Sequence, residues 1–225
     1  MNKVYIPSKK AKDWKQFLAD PKKQWKRGYS ARTLAHCWHD ADGIPNHVKK
    51  VLCRATELAG LETLIVIPEY KVPLPGGAGP SQNDVWVLGR TENDLVSIAV
   101  EGKVSEPFGP TIGEWGPNLS GGKKERFDFL CSVLGLHTKP SENIRYQLLH
   151  RTASAIIEAR RFHANHAVML VHSFGSKNEW FADYECFISL FGVSAAIDET
   201  VSVGKRSGVW LHFAWVKGEE QYLNA

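Results

Sequence analysis

The sequence predicts a mixed α/β fold, a central sheet flanked by helices with a helical extension at the N-terminus, and three observations carry that expectation. Helix-periodic segments alternate with short apolar, β-branched runs. Three such runs follow one another at short intervals, as in an antiparallel meander. The 225 residues, 43% hydrophobic and 11% aromatic, suffice for one domain with a sizeable core.

Two short helical segments open the chain, residues 8–19 and 30–41, each begun by a serine of the type that caps a helix. After the GIPN turn, Val48, Val51, Leu52, Ala55 and Ala59 recur at helical spacing, and the stripe ends at Gly60. Glu57 falls opposite that stripe, toward solvent. LETLIVIPEY reads as a first buried strand broken by Pro68, DVWVLGR as a second and LVSIAVEGKV as a third. A glycine-rich excursion, EPFGPTIGEWGPNLSGGKKER, precedes the apolar helix FDFLCSVLGL; loops of that length are usually functional or mobile. A strong helix from residue 142, the strand HAVMLVHSF, a helix through WFADYECFISLFG and a final strand VWLHFAWV complete the order. Residues 1–45 are expected to be a basic helical extension packed on a core formed by residues 46–225.

Composition narrows the function classes. No stretch approaches the roughly 18 consecutive apolar residues of a membrane span, and MNKVYIPSKK lacks the apolar segment of a secretory signal, so a cytoplasmic protein with no membrane partner is expected. Cys37, Cys53, Cys131 and Cys186 are scattered without a C-x-x-C pair, which argues against a zinc ribbon or a disulfide framework and for reduced core residues. Met1 to Ser30 carries nine lysines and arginines, Lys3 among them, against two aspartates, a charge balance suited to phosphate contact or to a solvated helix face.

The charged residues at the strand ends are the sharpest signal. Side chains alternate along a strand, so Glu101 and Lys103 share one face, and a hairpin about RTEND brings Asp84 beside them. Two carboxylates, a backbone carbonyl and an ammonium at one end of a sheet suit a divalent cation, Mg²⁺ or Mn²⁺. Arg151 lies within the apolar stripe Ile144, Leu148, Ala155, Ala159 and Phe162, where a guanidinium needs a carboxylate or phosphate partner. Gln147, one turn earlier, is expected to border the same pocket. Loss of the Arg151 guanidinium should then depress turnover more than thermal stability.

Asp84 followed by Glu101-Gly102-Lys103 resembles the pattern of the PD-(D/E)XK nuclease superfamily, and the order helix, three-stranded meander, helix, strand over about residues 46–172 is similar to the restriction-endonuclease-like core. Asn83 stands where the family usually has proline. The resemblance implies metal-dependent hydrolysis of a nucleic-acid phosphodiester, with Asp84, Glu101 and the carbonyl of Gly102 as metal ligands and Lys103 as electrostatic partner. Members that have lost catalysis exist, so a binding or assembly module is the alternative. DNA is the expected partner, with Lys123, Lys124 and Arg126 as backbone contacts and Trp115 able to stack on a base. Cleavage of both strands with one site per chain would favour a homodimer.

Two other patterns are weaker. LVHSFGS places Ser173 after a strand, with Asp198 and His212 following in hydrolase order, but Val171 replaces the first glycine of a nucleophile elbow and too little chain remains for the outer strands. His36, Cys37, His39 and Asp40 crowd one turn, with no second ligand pair at recognisable spacing, and read as a mixed helix face.

Overall fold

The computed structural model describes residues 8–77, 79–116 and 119–225; Lys3 of the basic arm, and Ala78, Pro117 and Asn118 of the two glycine-proline loops, lie outside the described residues. Residues of high β propensity form β1 (Glu62–Val72), β2 (Ser81–Arg90) and β3 (Leu95–Lys103), an antiparallel meander. β4 (His166–Ser173) lies parallel to β3, while β5 (Glu199–Arg206) and β6 (Val209–Lys217) form a hairpin whose second strand runs parallel to β4. The six-stranded mixed sheet has the order β1-β2-β3-β4-β6-β5.

Helices cover both faces. On one side α2 (Ser30–Asp40) and α3 (Asn46–Leu52), preceded by the one-turn α1 (Pro21–Gln24), pack Leu34, Trp38, Val48 and Leu52 against Val96, Ile98 and Val100. On the other, α5 (Gly121–Leu134), α6 (Tyr146–Arg161) and α7 (Phe181–Ser189), with the one-turn α4 (Ile112–Trp115), pack Leu130, Leu149 and Phe187 against Ala99, Met169 and Phe213. Ala99 thus looks toward α6, and strand alternation sends Glu101 and Lys103 the same way. Trp14, Leu34, Ala35 and Trp38 of the N-terminal extension belong to the same buried cluster as the sheet residues.

Several elements differ from the sequence expectation, each for a local reason. The first segment forms a 3-10 helix, Ala11–Phe17, rather than an α-helix. Ser30 is the first helical residue of α2 and does not cap it with its side chain; the carboxylate of Glu106 accepts its N–H at 2.8 Å. The helix expected to reach Gly60 leaves α geometry after Leu52 and finishes in a 3-10 turn, Thr56–Leu58; Glu57 is exposed, as expected. Pro68 does not break β1, because β1 is an edge strand, where proline is tolerated. The excursion after β3 holds α4, closed by a Thr111/Glu114 capping box, and the first turn of α5. β5 was not expected; it is an edge strand whose ladder to β6 shifts between Ser202 and Lys205, where Gly204 takes φ +79°. The four cysteines are free, but only Cys37 is fully buried and Cys186 is exposed. Among the described residues, no helix is long and apolar enough to cross a membrane.

Candidate active site

The β2–β3 ladder ends at Val85 opposite Val100, so the next residues, Asp84 and Glu101, stand where the strands part. There the Asp84 carboxylate accepts the N–H of Gly102 at 2.8 Å and takes over the role of a ladder carbonyl. Gly102 is closely approached on its other side: a Cβ at this position would lie 3.1 Å from Leu34 Cδ2 of α2 and 3.4 Å from Asp84 Oδ2. The spacer between Glu101 and Lys103 thus lies where helix and carboxylate both pack against it, and a side chain here would have to move Leu34 by a few tenths of an ångström.

Glu101 is the hub of a buried ion network. Its Oε1 accepts Lys103 Nζ at 2.6 Å and Gln147 Nε2 at 2.9 Å, and its Oε2 accepts Arg151 Nε at 2.7 Å. Glu101, Lys103 and Arg151 are 3%, 4% and 7% exposed. Arg151 Nη1 also donates to Ser81 Oγ at 3.3 Å, and Lys103 Nζ lies 4.8 Å from the centre of the Phe108 ring. Burial alone would raise the Glu101 carboxyl, but the Lys103 and Arg151 charges and their hydrogen bonds hold it down at about 2.

A third carboxylate joins this end of the sheet. Glu69 of β1 stands opposite Asp84, between the pairs Pro68–Val85 and Tyr70–Asn83, and takes φ +53°. Gln82 Nε2 donates to its Oε2 at 2.6 Å. Burial first, and then the nearby Asp84 charge, push its carboxyl up to about 8. Burial and the Glu101 charge likewise push Asp84 up to about 7. Among the described residues neither group is paired directly with a cation, as Glu101 is, so burial and the neighbouring carboxylate charge outweigh the more distant Arg151 and favour the protonated form of each.

The three carboxylates, Lys103, Gln147, Arg151 and Gln82 line a cavity of about 460 Å³. Its opposite wall is the N-terminal extension, including Lys23, Gln24, Tyr29 and Ser30, together with Glu106. Asp84, Glu101, Gly102, Lys103, Gln147 and Arg151 are thus brought together from β2, β3 and α6. Lys123, Lys124 and Arg126 are placed elsewhere, on α5, and do not line this cavity. Lys123 donates to the Trp115 carbonyl at 2.6 Å, Lys124 pairs with Asp128, and Arg126 holds the Pro75 and Gly77 carbonyls at 2.8 and 3.0 Å. Trp115 is stacked on Tyr146 at 3.9 Å between ring centres.

Glu69 and the extension's share of the wall are what sequence reasoning missed. The signal for Glu69 was its place in the meander, one residue after Pro68, once that strand is continued through the proline. The hydrolase-like order is not assembled: His212 Nδ1 contacts Ser202 Oγ at 2.7 Å and its Nε2 contacts His166 Nδ1 at 3.0 Å. Ser173 pairs with Lys217 in the ladder, five positions beyond the pairing of His212 with Val168.

Neither curated proteins nor solved structures give a match to the chain. The model of one family, described as a domain of unknown function (DUF6946), matches residues 7–220, and by that span of nearly the whole chain the protein belongs to this family.

Proposed function

We propose that the chain is a divalent-metal-dependent nuclease of the PD-(D/E)XK type that hydrolyses DNA phosphodiester bonds at the cavity where β2 and β3 part. The observation that carries the reading is the meeting of Asp84, Glu101 and Lys103 with Glu69 in one cavity, two of the carboxyls being pushed up to about 7 and about 8. A helix, an antiparallel meander and a further helix leading to a strand parallel to β3 support the restriction-endonuclease-like arrangement.

The donor set fits a hard cation such as Mg²⁺ or Mn²⁺, which takes carboxylate oxygens and keeps waters. Asp84 spends one oxygen on Gly102 N–H, and Glu101 uses three of about four acceptor sites on Lys103, Gln147 and Arg151. The three acids do not bring one oxygen each within 4.8 Å of one another, so Asp84 with one of its two neighbours would hold the ion, and the Gly102 carbonyl would complete the protein ligands. A bound divalent ion supplies Lewis acidity toward a phosphoryl oxygen and acidifies a water. Lys103 offers its ammonium to charge growing on that phosphoryl group, Arg151 and Gln147 fix the orientation of Glu101, and Lys23 stands on the far wall to meet a flanking phosphate.

One observation favours a second reading, a catalytically silent member that binds or assembles. The Glu101 network is closed on itself, with both oxygens occupied by protein groups. Calorimetry with Mn²⁺ separates the two, with and without a hydrolysis-resistant phosphorothioate DNA, comparing the native chain with folded Asp84→Ala and Glu101→Ala variants. The nuclease reading expects one ion per chain, lost in both variants. Heat independent of both carboxylates under both conditions would leave the silent module.

A further inference from the structure

We propose that Cys37, His47 and His172 hold a second cation, a thiophilic divalent ion of the zinc class, that clips α2 and α3 to β4 on the face of the sheet opposite α6. The three residues come from three elements: Cys37 from the last turns of α2, His47 from the first turn of α3 and His172 from the end of β4. One ligand atom from each lies within 4.8 Å of the others, and among the described residues this is the group of histidine, cysteine and acidic side chains that does so. A thiol with two imidazoles selects Zn²⁺ over Mg²⁺ or Ca²⁺, which take oxygen.

The imidazoles are already aimed. His47 Nε2 and His172 Nε2 face each other at 2.9 Å, a contact that needs one shared proton. Ligands on a tetrahedral zinc stand roughly 3.3–3.8 Å apart, given Zn–N and Zn–S bonds of about 2.0–2.3 Å, so this contact has to open by only a few tenths of an ångström. Behind His47, Glu219 Oε1 lies 3.8 Å from Nδ1, beyond hydrogen-bond reach but near enough for its charge to favour a proton on that nitrogen. Cys37 and His172 are fully buried and His47 is half-buried, so the ion enters, and keeps a solvent ligand, on the His47 side.

Loading has a defined proton balance. Trp38 Nε1 donates to His172 Nδ1 at 3.1 Å, so without the ion the His172 proton sits on Nε2 and is shared with His47. Binding displaces the Cys37 thiol proton to solvent and moves the His172 proton to Nδ1, which breaks the Trp38 bond. Trp38 therefore reports occupancy by its emission.

The inference is independent of the carboxylate chemistry. Titration of the whole, metal-stripped protein with Co²⁺ tests it, because a cobalt–thiolate bond gives a near-ultraviolet charge-transfer band. The expected result is a one-to-one band accompanied by a change in tryptophan emission. Cys37→Ser should abolish the band, His47→Asn should weaken Co²⁺ binding at least tenfold, and Asp84→Asn should leave both readings in place. His47 is half-buried, so His47→Asn decides the matter if Cys37→Ser fails to fold. No band in the native chain, a band that survives Cys37→Ser, or unchanged affinity in His47→Asn would each overturn the proposal and leave a hydrogen-bonded histidine pair.

Discussion

Glu69 and Asp84 face each other with carboxyls raised to about 8 and about 7, while Glu101 beside them is held at about 2, and this contrast sets what the carboxylate cluster contributes to stability at each pH. A carboxyl raised in the native state binds a proton that the unfolded chain has lost, so stability falls as pH rises from about 4 to about 8. Glu101 acts in the reverse sense: its contribution is complete above about pH 5 and is lost as pH falls toward 2. The buried His150, His172 and His212, held neutral by desolvation, also oppose the raised carboxyls below about pH 6.5. In metal-free protein, thermal melts should therefore show the midpoint declining between about pH 6.5 and 8, and Asp84→Asn should flatten that decline. Arg151 belongs to the same network, and the Glu101 carboxylate is one of the two kinds of partner that its place in the helix stripe calls for. Arg151→Ala should cost about 3 kcal/mol in urea unfolding, the low end for stripping a partner from a buried charge, because Lys103 and Gln147 remain on Glu101. Arg151→Lys keeps the charge but not the fork of donors, and should recover only part of that loss. Asp84, Glu101, Lys103, Gln147 and Arg151 were legible in the sequence because strand alternation and helix spacing each place a charge where it must find a partner. Glu69 was not, since a proline before it suggested a chain break and its left-handed backbone leaves no periodic trace.

At the scale of the element, the contact of α2 with β3 sets the shape of the cavity floor. Leu34 rests on Gly102, and Asp84 grips the same peptide from the strand side. Gly102→Ala should destabilise the fold by about 1 kcal/mol, the low end for overpacking, because the added methyl group meets the flexible end of Leu34. Leu34→Ala in the same chain should return part of that loss, a non-additivity that a double-mutant cycle in urea measures. The meander and α6 could be read from the sequence because their apolar residues repeat with a clear period over many positions. β5 could not: TVSVGKR is short and half polar, and Gly204 interrupts its alternation at the bulge. The start of α5 was hidden for a similar reason, since Gly121 and Gly122 open it and two glycines read as a loop.

Across the whole molecule, the two clusters lie on opposite faces of one sheet, and the backbones of Gly102 and His172 are partners in the same parallel ladder. The first cluster is signalled by residues close in sequence; the second joins Cys37 to His172, a separation no local pattern reveals. The extension is part of this architecture rather than an appendage, because it closes one wall of the carboxylate cavity and buries Trp14 and Trp38 in the core. Glu106 ties its backbone to the segment after β3. Glu106 accepts Ser30 N–H at 2.8 Å with one oxygen, and Val104 and Ser105 N–H at 3.0 and 3.1 Å with the other. The Ser30 amide, more than 70 residues before Val104 and Ser105 in the chain, then shares a single opening event with them, and hydrogen–deuterium exchange should find all three losing protection together at one rate. Glu106→Ala should split that shared rate, with Ser30 exchanging alone as the extension breathes away from the sheet.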